Sequence, residues 1–420
     1  MHSSDHPSDP GSTVDLLVAA DFRLPGGTSQ ALAHEIRFMP QDLLPKTAFR
    51  HFKSQSVWEG RPWNPTLKSE VDARGLRMLT AGEDVTARTV VIHNPMAIRF
   101  RVPRLARKAE RIIVVAHQVP RSRAGHFYYD PWQITEKLEA LHGGKVVWAP
   151  ISPACRDALR EVCPDLPRLE ADWTNFIDPE EWAAKRDGLR SERPVIGRHG
   201  RPQAPKWPAT REAILAAYPD DPEFEVRLLG VEGWLERLLG GWPSNWTVHP
   251  FNSVSPAEFL RRIDYFVYFH REDWVETFGR TVIEAAAAGA ICILPPHFKQ
   301  TFGDLALYCE ATEVKSLVLA LHQDEARREE QRAIGLSRVI QRFGPAAFSR
   351  RLPAVVGAAP LRLEQSEPAL PPARELRRLA ARHRREHIWA RQRMALRRWT
   401  NATIADFVKR VRRWKRKLTN

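Results

Sequence analysis

The sequence has few cysteines and no long hydrophobic run, and both absences exclude whole classes of protein. The four cysteines (Cys155, Cys163, Cys292 and Cys309) form neither a C-x-x-C pair nor a metal-ligand spacing, so reduced thiols in a cytosolic protein are expected. No apolar run approaches the roughly 18 residues that cross a bilayer. Residues 1–13 lack the regions of a signal peptide and are expected to be a disordered N-terminus.

Positive charge is present in excess, but only at one end of the chain. Lys and Arg outnumber Asp and Glu by 64 to 50. Residues 374–420 contain 17 basic and three acidic residues, which is the whole of the excess. Residues 1–373 are therefore formally neutral, and nucleic acid is not an expected partner of this part. The whole chain, with 420 residues and 43% hydrophobic composition, is long enough for two domains.

A basic amphipathic helix is predicted in the tail, residues 374–420, after a Pro-rich linker at residues 359–373. Apolar residues recur there at the spacing of one helix face: Ile404, Phe407, Val408, Val411, Trp414 and Leu418. Such a helix suits an anionic membrane surface, although RNA binding and a solvated charged tail are alternatives. We therefore expect a cytoplasmic protein attached peripherally to the inner face of the cell membrane.

The strongest functional signal lies between two predicted buried strands, at residues 265–269 and 291–294. Residues 281–288 between them are predicted to form a helix that ends at Gly289. This strand–loop–helix–strand unit places the loop at the carboxyl end of the first strand. It is the arrangement in which parallel α/β sheets bind their ligands.

Two carboxylates, Glu276 and Glu284, flank the helix N-terminus in this unit. Between them are the free backbone N–H groups of Phe278, Gly279 and Arg280, which attract phosphate. A phosphate site with a carboxylate on either side suits a nucleotide sugar, because one carboxylate binds ribose hydroxyls and the other binds the transferred sugar. Two solvated surface acids are the alternative, since 50 acidic residues produce this spacing by chance.

The first part of the chain predicts another α/β unit, with a strand at residues 14–20, a turn at Gly26 and Gly27, and a helix at residues 29–37. The two glycines allow backbone N–H groups to approach a ligand phosphate, but a purely structural turn explains them equally well. The G-x-G-x-x-G pattern of NAD-binding proteins is absent here.

Polar residues follow further predicted strands at residues 89–92, 111–116 and 145–148. His93 and His117 stand at the carboxyl ends of the first two, on the ligand-binding side of a parallel sheet. His117 is the better catalytic candidate, because it directly follows its strand and precedes a Pro turn. A structural histidine is the alternative interpretation.

The pattern starts again after residue 190 and predicts a second Rossmann-like domain. The N-terminal domain then comprises residues 14–190 and the C-terminal domain residues 191–358, with a ligand cleft between them. Residues 40–85 show no clear periodicity. The elements predicted for the second domain are strands at 194–196, 225–229 and 247–248, a helix at 256–262, and the unit described above.

These motifs resemble those of GT-B fold retaining glycosyltransferases, in particular family 4, over about residues 14–355. Two positions depart from the family pattern, with Trp207 where Gly is common and Ala290 where Pro is frequent. The residues that carry the resemblance are, in chain order, Gly26-Gly27, His93-Asn94-Pro95, His117, Gly197-Arg198, Lys206, Glu276, Phe278, Gly279, Glu284, Phe302-Gly303-Asp304 and Tyr308.

The resemblance implies a role for each candidate residue. Arg198 and Lys206 would bind the diphosphate together with the helix N-terminus, and Glu284 would bind the ribose. Glu276 would contact the transferred sugar, which His117 would hold from the other domain. No Asp-x-Asp sequence occurs, so neither a metal nor another cofactor is expected besides the nucleotide sugar as co-substrate. Front-face departure of the diphosphate is favoured over a covalent intermediate.

The expected activity is a retaining, metal-independent transfer of a hexose from a nucleotide-diphosphate sugar to a glycan or lipid-linked acceptor. Bacterial cell-surface polysaccharide or glycolipid synthesis is the expected setting. A nucleotide-sugar epimerase or a phosphorylase of the same fold is an alternative, and the latter would need pyridoxal phosphate. A non-catalytic nucleic-acid or membrane adaptor is the alternative from another class.

Overall fold

The computed structural model of the chain describes residues 12–54, 60–183, 188–365, 374–389 and 392. Most of the predicted disordered N-terminus lies outside these residues. The predicted apolar face between Ile404 and Leu418 lies outside them as well, so the amphipathic tail helix stays a prediction.

The N-terminal half forms a seven-stranded sheet in the order β13-β6-β5-β4-β3-β1-β2. Its strand pairs are parallel except β13 with β6. Long apolar strands in the middle of the sheet are buried on both faces, as a sheet covered by helices requires. The elements are β1 Thr13–Ala20, α1 Gly27–Arg37, β2 Thr47–His51, α2 Pro65–Arg74, β3 Thr86–His93, β4 Lys108–Ala116, α3 Pro131–His142, β5 Lys145–Pro150, α4 Pro153–Val162, β6 Arg168–Leu169 and α5 Pro179–Trp182; β13 follows later in the chain.

The C-terminal half forms a second, six-stranded parallel sheet in the order β12-β11-β10-β7-β8-β9. The strand order changes direction between the neighbouring strands β7 and β10. The loops that follow these two strands therefore diverge and leave a crevice for a ligand. The elements are β7 Val195–His199, α6 Arg211–Ala217, β8 Glu225–Leu229, α7 Gly233–Leu239, β9 Trp246–His249, α8 Pro256–Leu260, β10 Tyr265–Val267, α9 Arg280–Ala287, β11 Ile291–Leu294, α10 Lys299–Phe302, β12 Leu307–Tyr308, α11 Val314–Gln323 and α12 Glu325–Phe343.

After α12 the chain crosses back to the first half. Helix α13 (Pro345–Val355) and strand β13 (Leu363–Glu364) follow α12. The Phe348 ring stacks on Phe176, with ring centroids 5.4 Å apart. Strand β13 pairs with β6. The sequence placed α13 in the C-terminal domain and β13 in a linker, whereas both pack against the N-terminal sheet.

The beginning of the basic tail is a helix, residues 374–389 (α14), that packs on the N-terminal half. Ala380 is fully buried. The His383 Nδ1 atom accepts a hydrogen bond from the Phe127 backbone N–H at 3.2 Å, and Arg377 lies over the Trp132 ring at 5.3 Å. This first section of the tail is therefore part of the folded body.

The observed strands mostly include the predicted ones and extend them. The strand predicted at residues 89–92 is part of β3, and the one at 111–116 is part of β4. The difference with consequences for the site is β7, which was predicted to end at residue 196 but continues to His199. Arg198 is thus a strand residue rather than a loop residue.

The four cysteines are free thiols buried in the core. Across the described residues, every helix is too short or too polar to cross a lipid bilayer. The hydrophobic core includes residues of both halves, from Leu17 in β1 to Ile283 in α9 and Phe343 in α12.

Candidate active site

A cavity of about 590 Å³ lies between the two sheets at the carboxyl ends of their strands. Its size is in the range of small-molecule sites. The cavity brings together nine of the ten predicted site residues, and Arg198 is the exception. Those that line it are Gly26, Gly27 and His117 from the N-terminal half, and Lys206, Glu276, Phe278, Gly279, Arg280 and Glu284 from the C-terminal half.

Glu276 accepts two hydrogen bonds through one carboxylate oxygen. The Lys206 Nζ atom donates to Oε2 at 2.6 Å, and the Tyr268 hydroxyl donates to the same oxygen at 2.7 Å. Burial alone would raise the pKa of Glu276, but the charge of Lys206 and these two donors lower it to about 2. Glu276 is therefore a carboxylate at every physiological pH, held in one orientation at the wall of the cavity.

Arg198 lies beneath this pair rather than in the cavity. Its side chain is 2% exposed, and its guanidinium carbon lies 4.0 Å from the Trp207 ring centroid and 4.6 Å from that of Tyr268. It donates hydrogen bonds to the Tyr218 hydroxyl at 3.0 Å and the Phe269 carbonyl at 2.6 Å, and also to the Lys206 carbonyl. The predicted role of Arg198 in binding the diphosphate is therefore not supported. It supports Lys206 and Tyr268 from below.

Arg201 faces the cleft, where Arg198 was expected from the sequence. It lines the cavity, is exposed, and has no ion pair among the residues that the structure describes. One Nη atom lies 3.3 Å from the point where a Cβ on Gly26 would be. Arg201 of the second half therefore reaches across the cleft to the glycine turn of the first half. The sequence contained a usable signal, since Arg201 is the first basic residue after the true end of β7.

The N-terminus of α9 has polar groups left without partners within the described structure. Gly279, which precedes the helix, has φ of 81°, a left-handed conformation that glycine adopts readily. Arg280 Nη1 and Thr281 Oγ1 are buried without a hydrogen-bond partner among the described residues. Both residues line the cavity. Free backbone N–H groups and unpartnered donors together form a site for an anion.

Glu284, one turn into α9, is buried and faces the same cavity. It accepts a hydrogen bond from Arg280 Nε at 2.7 Å, and its second oxygen lies 3.5 Å from His199 Nε2. Burial lowers the pKa of His199 below its usual value, although the Glu284 charge opposes the shift. His199 Nε2 makes no hydrogen bond to any described residue, so the second Glu284 oxygen is available to accept one from a ligand.

His117 enters the cavity from the first half, directly after β4. Its Nε2 atom lies 3.1 Å from His93 Nδ1, so the two strand-end histidines are in contact. Burial, with a smaller contribution from His93, lowers the pKa of His117 to about 3. His117 is therefore a neutral imidazole, suited to hydrogen bonding rather than to carrying charge.

The loop before α9 is tied to the first half by two hydrogen bonds of Thr277. The Thr277 hydroxyl donates to the His117 carbonyl at 3.1 Å. The Ser152 hydroxyl, at the N-terminus of α4, donates to the Thr277 carbonyl. These bonds hold Glu276 and His117 at a fixed separation across the cleft.

Comparison with known proteins identifies the architecture. No protein-family model matches the sequence, and no curated protein matches it. HepE of Anabaena, solved with UDP-glucose, superposes with a TM-score of 0.58 at 12% identity, covering 82% of this chain and 99% of HepE. The chain has the GT-B fold.

Two further solved structures agree with this assignment. A glycosyltransferase from Rickettsia africae superposes with a TM-score of 0.54 at 12% identity, over 82% of this chain and 98% of its own. A UDP-forming α,α-trehalose-phosphate synthase from Burkholderia xenovorans gives 0.50 at 11% identity, over 82% and 99%. The GT-B prediction is thus confirmed, whereas membership of family 4 stays a prediction.

The GT-B cleft of this chain also contains groups to which the sequence alone assigned no individual role. In addition to Arg201 and Thr281, Trp274 lines the cavity with an indole N–H that has no partner among the described residues. The non-glycine residues found with positive φ in the described part, Asn94 and Asn252, both line it as well. Such conformations often occur at functional sites.

No group of three or more His, Cys, Asp or Glu side chains is placed to hold a metal ion within the described ranges. The cations that face the cavity are instead Lys206, Arg201 and Arg280. Arginine and lysine are both suited to phosphate oxygens. These three cations and the N-terminus of α9 are placed to contact the oxygens of a polyphosphate.

Proposed function

We propose that the protein is a retaining glycosyltransferase that moves a sugar from a nucleoside-diphosphate sugar to a glycan or lipid-linked acceptor. The observation that carries this proposal is the buried ionised carboxylate of Glu276 between the cation Lys206 and the anion site at α9. A nucleotide sugar needs these groups side by side, because its diphosphate and its transferred sugar are covalently joined.

The donor is oriented by residues along the cavity. The diphosphate lies at the N-terminus of α9, where the Gly279 and Arg280 N–H groups, Lys206 and Arg201 surround it. The ribose hydroxyls donate to Glu284. UDP is the first nucleotide to examine, because HepE was solved with UDP-glucose.

The reaction breaks the bond between the anomeric carbon and the diphosphate oxygen, and the acceptor oxygen forms its bond to the same face of that carbon. The proton of the acceptor hydroxyl passes to the departing diphosphate oxygen. Lys206, Arg201 and the α9 N–H groups stabilise the charge that develops on the diphosphate. No metal is required for this step.

Glu276 acts in this scheme as an electrostatic stabiliser of the positive anomeric centre. Two donors already occupy one of its oxygens, and its pKa of about 2 makes it a poor nucleophile. This favours front-face departure over a covalent intermediate on Glu276.

A second cavity, of about 520 Å³, is a candidate for the acceptor. Glu276 and Trp274 line both cavities, so they form the wall between donor and acceptor. Residues of α4, Ala158 among them, also line this second cavity. An acceptor hydroxyl entering from this side would reach the anomeric carbon next to Glu276.

Donor binding is tested by the thermal stabilisation that UDP, ADP and GDP each produce, since a ligand that binds the native state raises its melting temperature. We expect one of them to stabilise the protein. Arg201→Gln should weaken that binding about ten- to a hundredfold, the loss of a charge-assisted hydrogen bond, with the melting temperature of the free protein unchanged.

Arg198→Gln is the matched control for this experiment. It should instead lower the stability of the free protein by about 1–3 kcal/mol, because buried acceptors lose their donor. Absence of stabilisation by any nucleotide would contradict the proposal. Equal effects of the two variants on the free protein would contradict the division of roles between them.

A further inference from the structure

A third cavity, of about 660 Å³, adjoins the second cavity, which is the candidate for the acceptor. Arg121 and Glu161 line both, so the two cavities form one continuous groove, which we call the outer groove. Glu276 lies at one end of the outer groove, and Leu379 and Arg382 of α14 lie at the other. The outer groove therefore leads from Glu276 to the first section of the basic tail.

Arg121 stands where the two cavities meet, and the structure holds its side chain in place. Its Nε atom donates a hydrogen bond to the Gly125 carbonyl at 3.0 Å, and its guanidinium lies over the buried Phe127 ring at 5.8 Å. The residue is half-buried. Among the described residues, neither Nη atom has a hydrogen-bond or ion-pair partner. Two fixed and unpartnered N–H groups of an arginine suit the oxygens of a carboxylate or a phosphate.

Three more arginines line the outer groove and have no ion pair within the part of the chain that the structure describes. Arg123 lines the cavity that contains Glu276, and Arg378 and Arg382 lie one turn apart on α14. All three are exposed. A single exposed arginine is usually only solvated, but four around one groove concentrate a positive potential that attracts anions.

Carboxylates cancel part of this charge. Those that line the outer groove are Asp157, Glu161, Glu276 and Glu375. Asp157 pairs with Arg160 at 3.1 Å. Glu276 pairs with Lys206 at 2.6 Å. Glu161 and Glu375 have no ion pair to a described residue. Four unpaired arginines therefore face two unpaired glutamates, and the outer groove carries an excess of positive charge.

We propose that the outer groove selects an acceptor that carries an acidic group, a carboxylate or a phosphate, which Arg121 binds while the reacting hydroxyl lies next to Glu276. The acceptor role rests on the proposed function, whereas the anion site at Arg121 does not. Arg378 and Arg382 act at longer range, because they raise the local concentration of an anion around Arg121. A neutral glycan gains nothing from these arginines.

The anion site is tested by calorimetric titration of the full-length protein, without nucleotide, with glucose, glucuronate and glucose 6-phosphate. The two acids separate the sources of the negative charge, a carboxylate and a phosphate. We expect at least one of them to bind about tenfold more tightly than glucose, the gain from a charge-assisted hydrogen bond. Arg121→Gln should remove this advantage, and Arg201→Gln should leave it unchanged, because Arg201 faces the donor cavity instead.

The charges around Arg121 allow a second comparison, made with variants of exposed side chains. Arg382→Gln should weaken binding of the acid about two- to fourfold, as expected for an exposed charge. Arg385→Gln is the matched control, since Arg385 is exposed on the same helix but lines neither cavity. Glu161→Gln should have the opposite effect and tighten binding of the acid about two- to threefold, with glucose unaffected. A loss of folding cannot produce that gain.

Equal affinities for glucose and both acids would overturn the proposal. It would also be overturned if the advantage of the acid survived Arg121→Gln and disappeared in Arg201→Gln, since the acid would then occupy the donor cavity. Binding of an acid that depends on Arg121, in a protein that no nucleotide stabilises, would support the anion site and refute its role as an acceptor site. The failure of the proposed function is thus distinguished from the failure of this inference.

Discussion

At the scale of single residues, the structure assigns different functions to side chains that look alike in the sequence. Arg198 and Arg201 are three positions apart, yet the first is buried between two aromatic rings and the second lines the cleft. The sequence could not separate them, because the assignment depended on where β7 ends. By contrast, the positions of Glu276 and Glu284 were predictable, since the apolar strand and small-residue helix around them are unambiguous.

Removal of the Tyr268 hydroxyl should change the pH dependence of activity. Its hydrogen bond stabilises the ionised form of Glu276, so Tyr268→Phe should raise the pKa of that carboxyl from about 2. A hydrogen bond to a charged group contributes about 1.5–3 kcal/mol, which corresponds to about one to two pH units. The acid limb of the activity profile should move to higher pH by that amount.

The same shift should appear in the pH dependence of stability. Because the native pKa of Glu276 is depressed from 4.5 to about 2, its contribution to stability is complete above the unfolded value and is lost as pH falls toward 2. Tyr268→Phe should reduce this contribution. Tyr308→Phe, which removes a hydroxyl bonded to the Gly303 carbonyl, is the control. An unchanged acid limb in Tyr268→Phe would show that the hydroxyl does not stabilise the Glu276 carboxylate.

At the scale of elements, the strength of the apolar pattern decided what the sequence revealed. The interior strands β1, β4 and β11 contain continuous apolar runs and were predicted. Strand β2, at the edge of its sheet, and helix α2 fall in residues 40–85 and were not. Helix α2 has little amphipathic pattern, but its ends carried usable signals. Asn64 caps it through hydrogen bonds from the Thr66 and Leu67 N–H groups, Pro65 opens it, and Gly75 ends it with φ of 58°.

The turn between β1 and α1 allows two adjacent glycines to be compared. Gly26 has φ of 84°, and a Cβ there would contact Arg201, whereas a Cβ on Gly27 would meet no atom within 4 Å. Gly26→Ala should therefore destabilise the protein by about 1–3 kcal/mol and weaken nucleotide binding through Arg201. Gly27→Ala should leave stability unchanged or slightly higher, because it lies in the first turn of a helix. Denaturant titration of both variants measures this, and equal stabilities would contradict the assigned backbone roles.

At the scale of the whole molecule, the described segments that follow α12 return to the N-terminal half. Helix α13 places Arg351 beside Glu35, β13 extends the first sheet, and α14 packs on the same half. The sequence could not show this, because the crossover depends on contacts between residues far apart in the chain. The Pro-rich composition of residues 359–373 indicated only a linker.

Because α14 is docked on the N-terminal half, a test of the expected membrane attachment has to leave this helix in place. A truncation before residue 374 would remove α14 from the folded body along with the tail. A truncation after Gln392 leaves α14 intact and removes residues 393–420, with ten basic residues and one acidic residue. This variant should lose binding to anionic vesicles, since each basic residue near the surface contributes about 1 kcal/mol.

The truncated protein should keep the melting temperature and nucleotide binding of the full-length protein. Full-length binding should also decrease at high salt, because exposed charges are screened. Vesicle binding that survives the truncation, or that does not depend on salt, would refute the proposed role of the tail.

The proposed role of Glu276 is in sugar transfer from a nucleotide sugar bound in the GT-B cleft. The most direct measurement is turnover of the stabilising nucleotide's sugar conjugates, followed as release of the nucleoside diphosphate by the full-length protein and by Glu276→Ala. We expect release by the native protein and its loss in Glu276→Ala, by a factor of about a hundred or more, in a variant that remains folded and still binds the nucleotide. Equal turnover by the two proteins would contradict it.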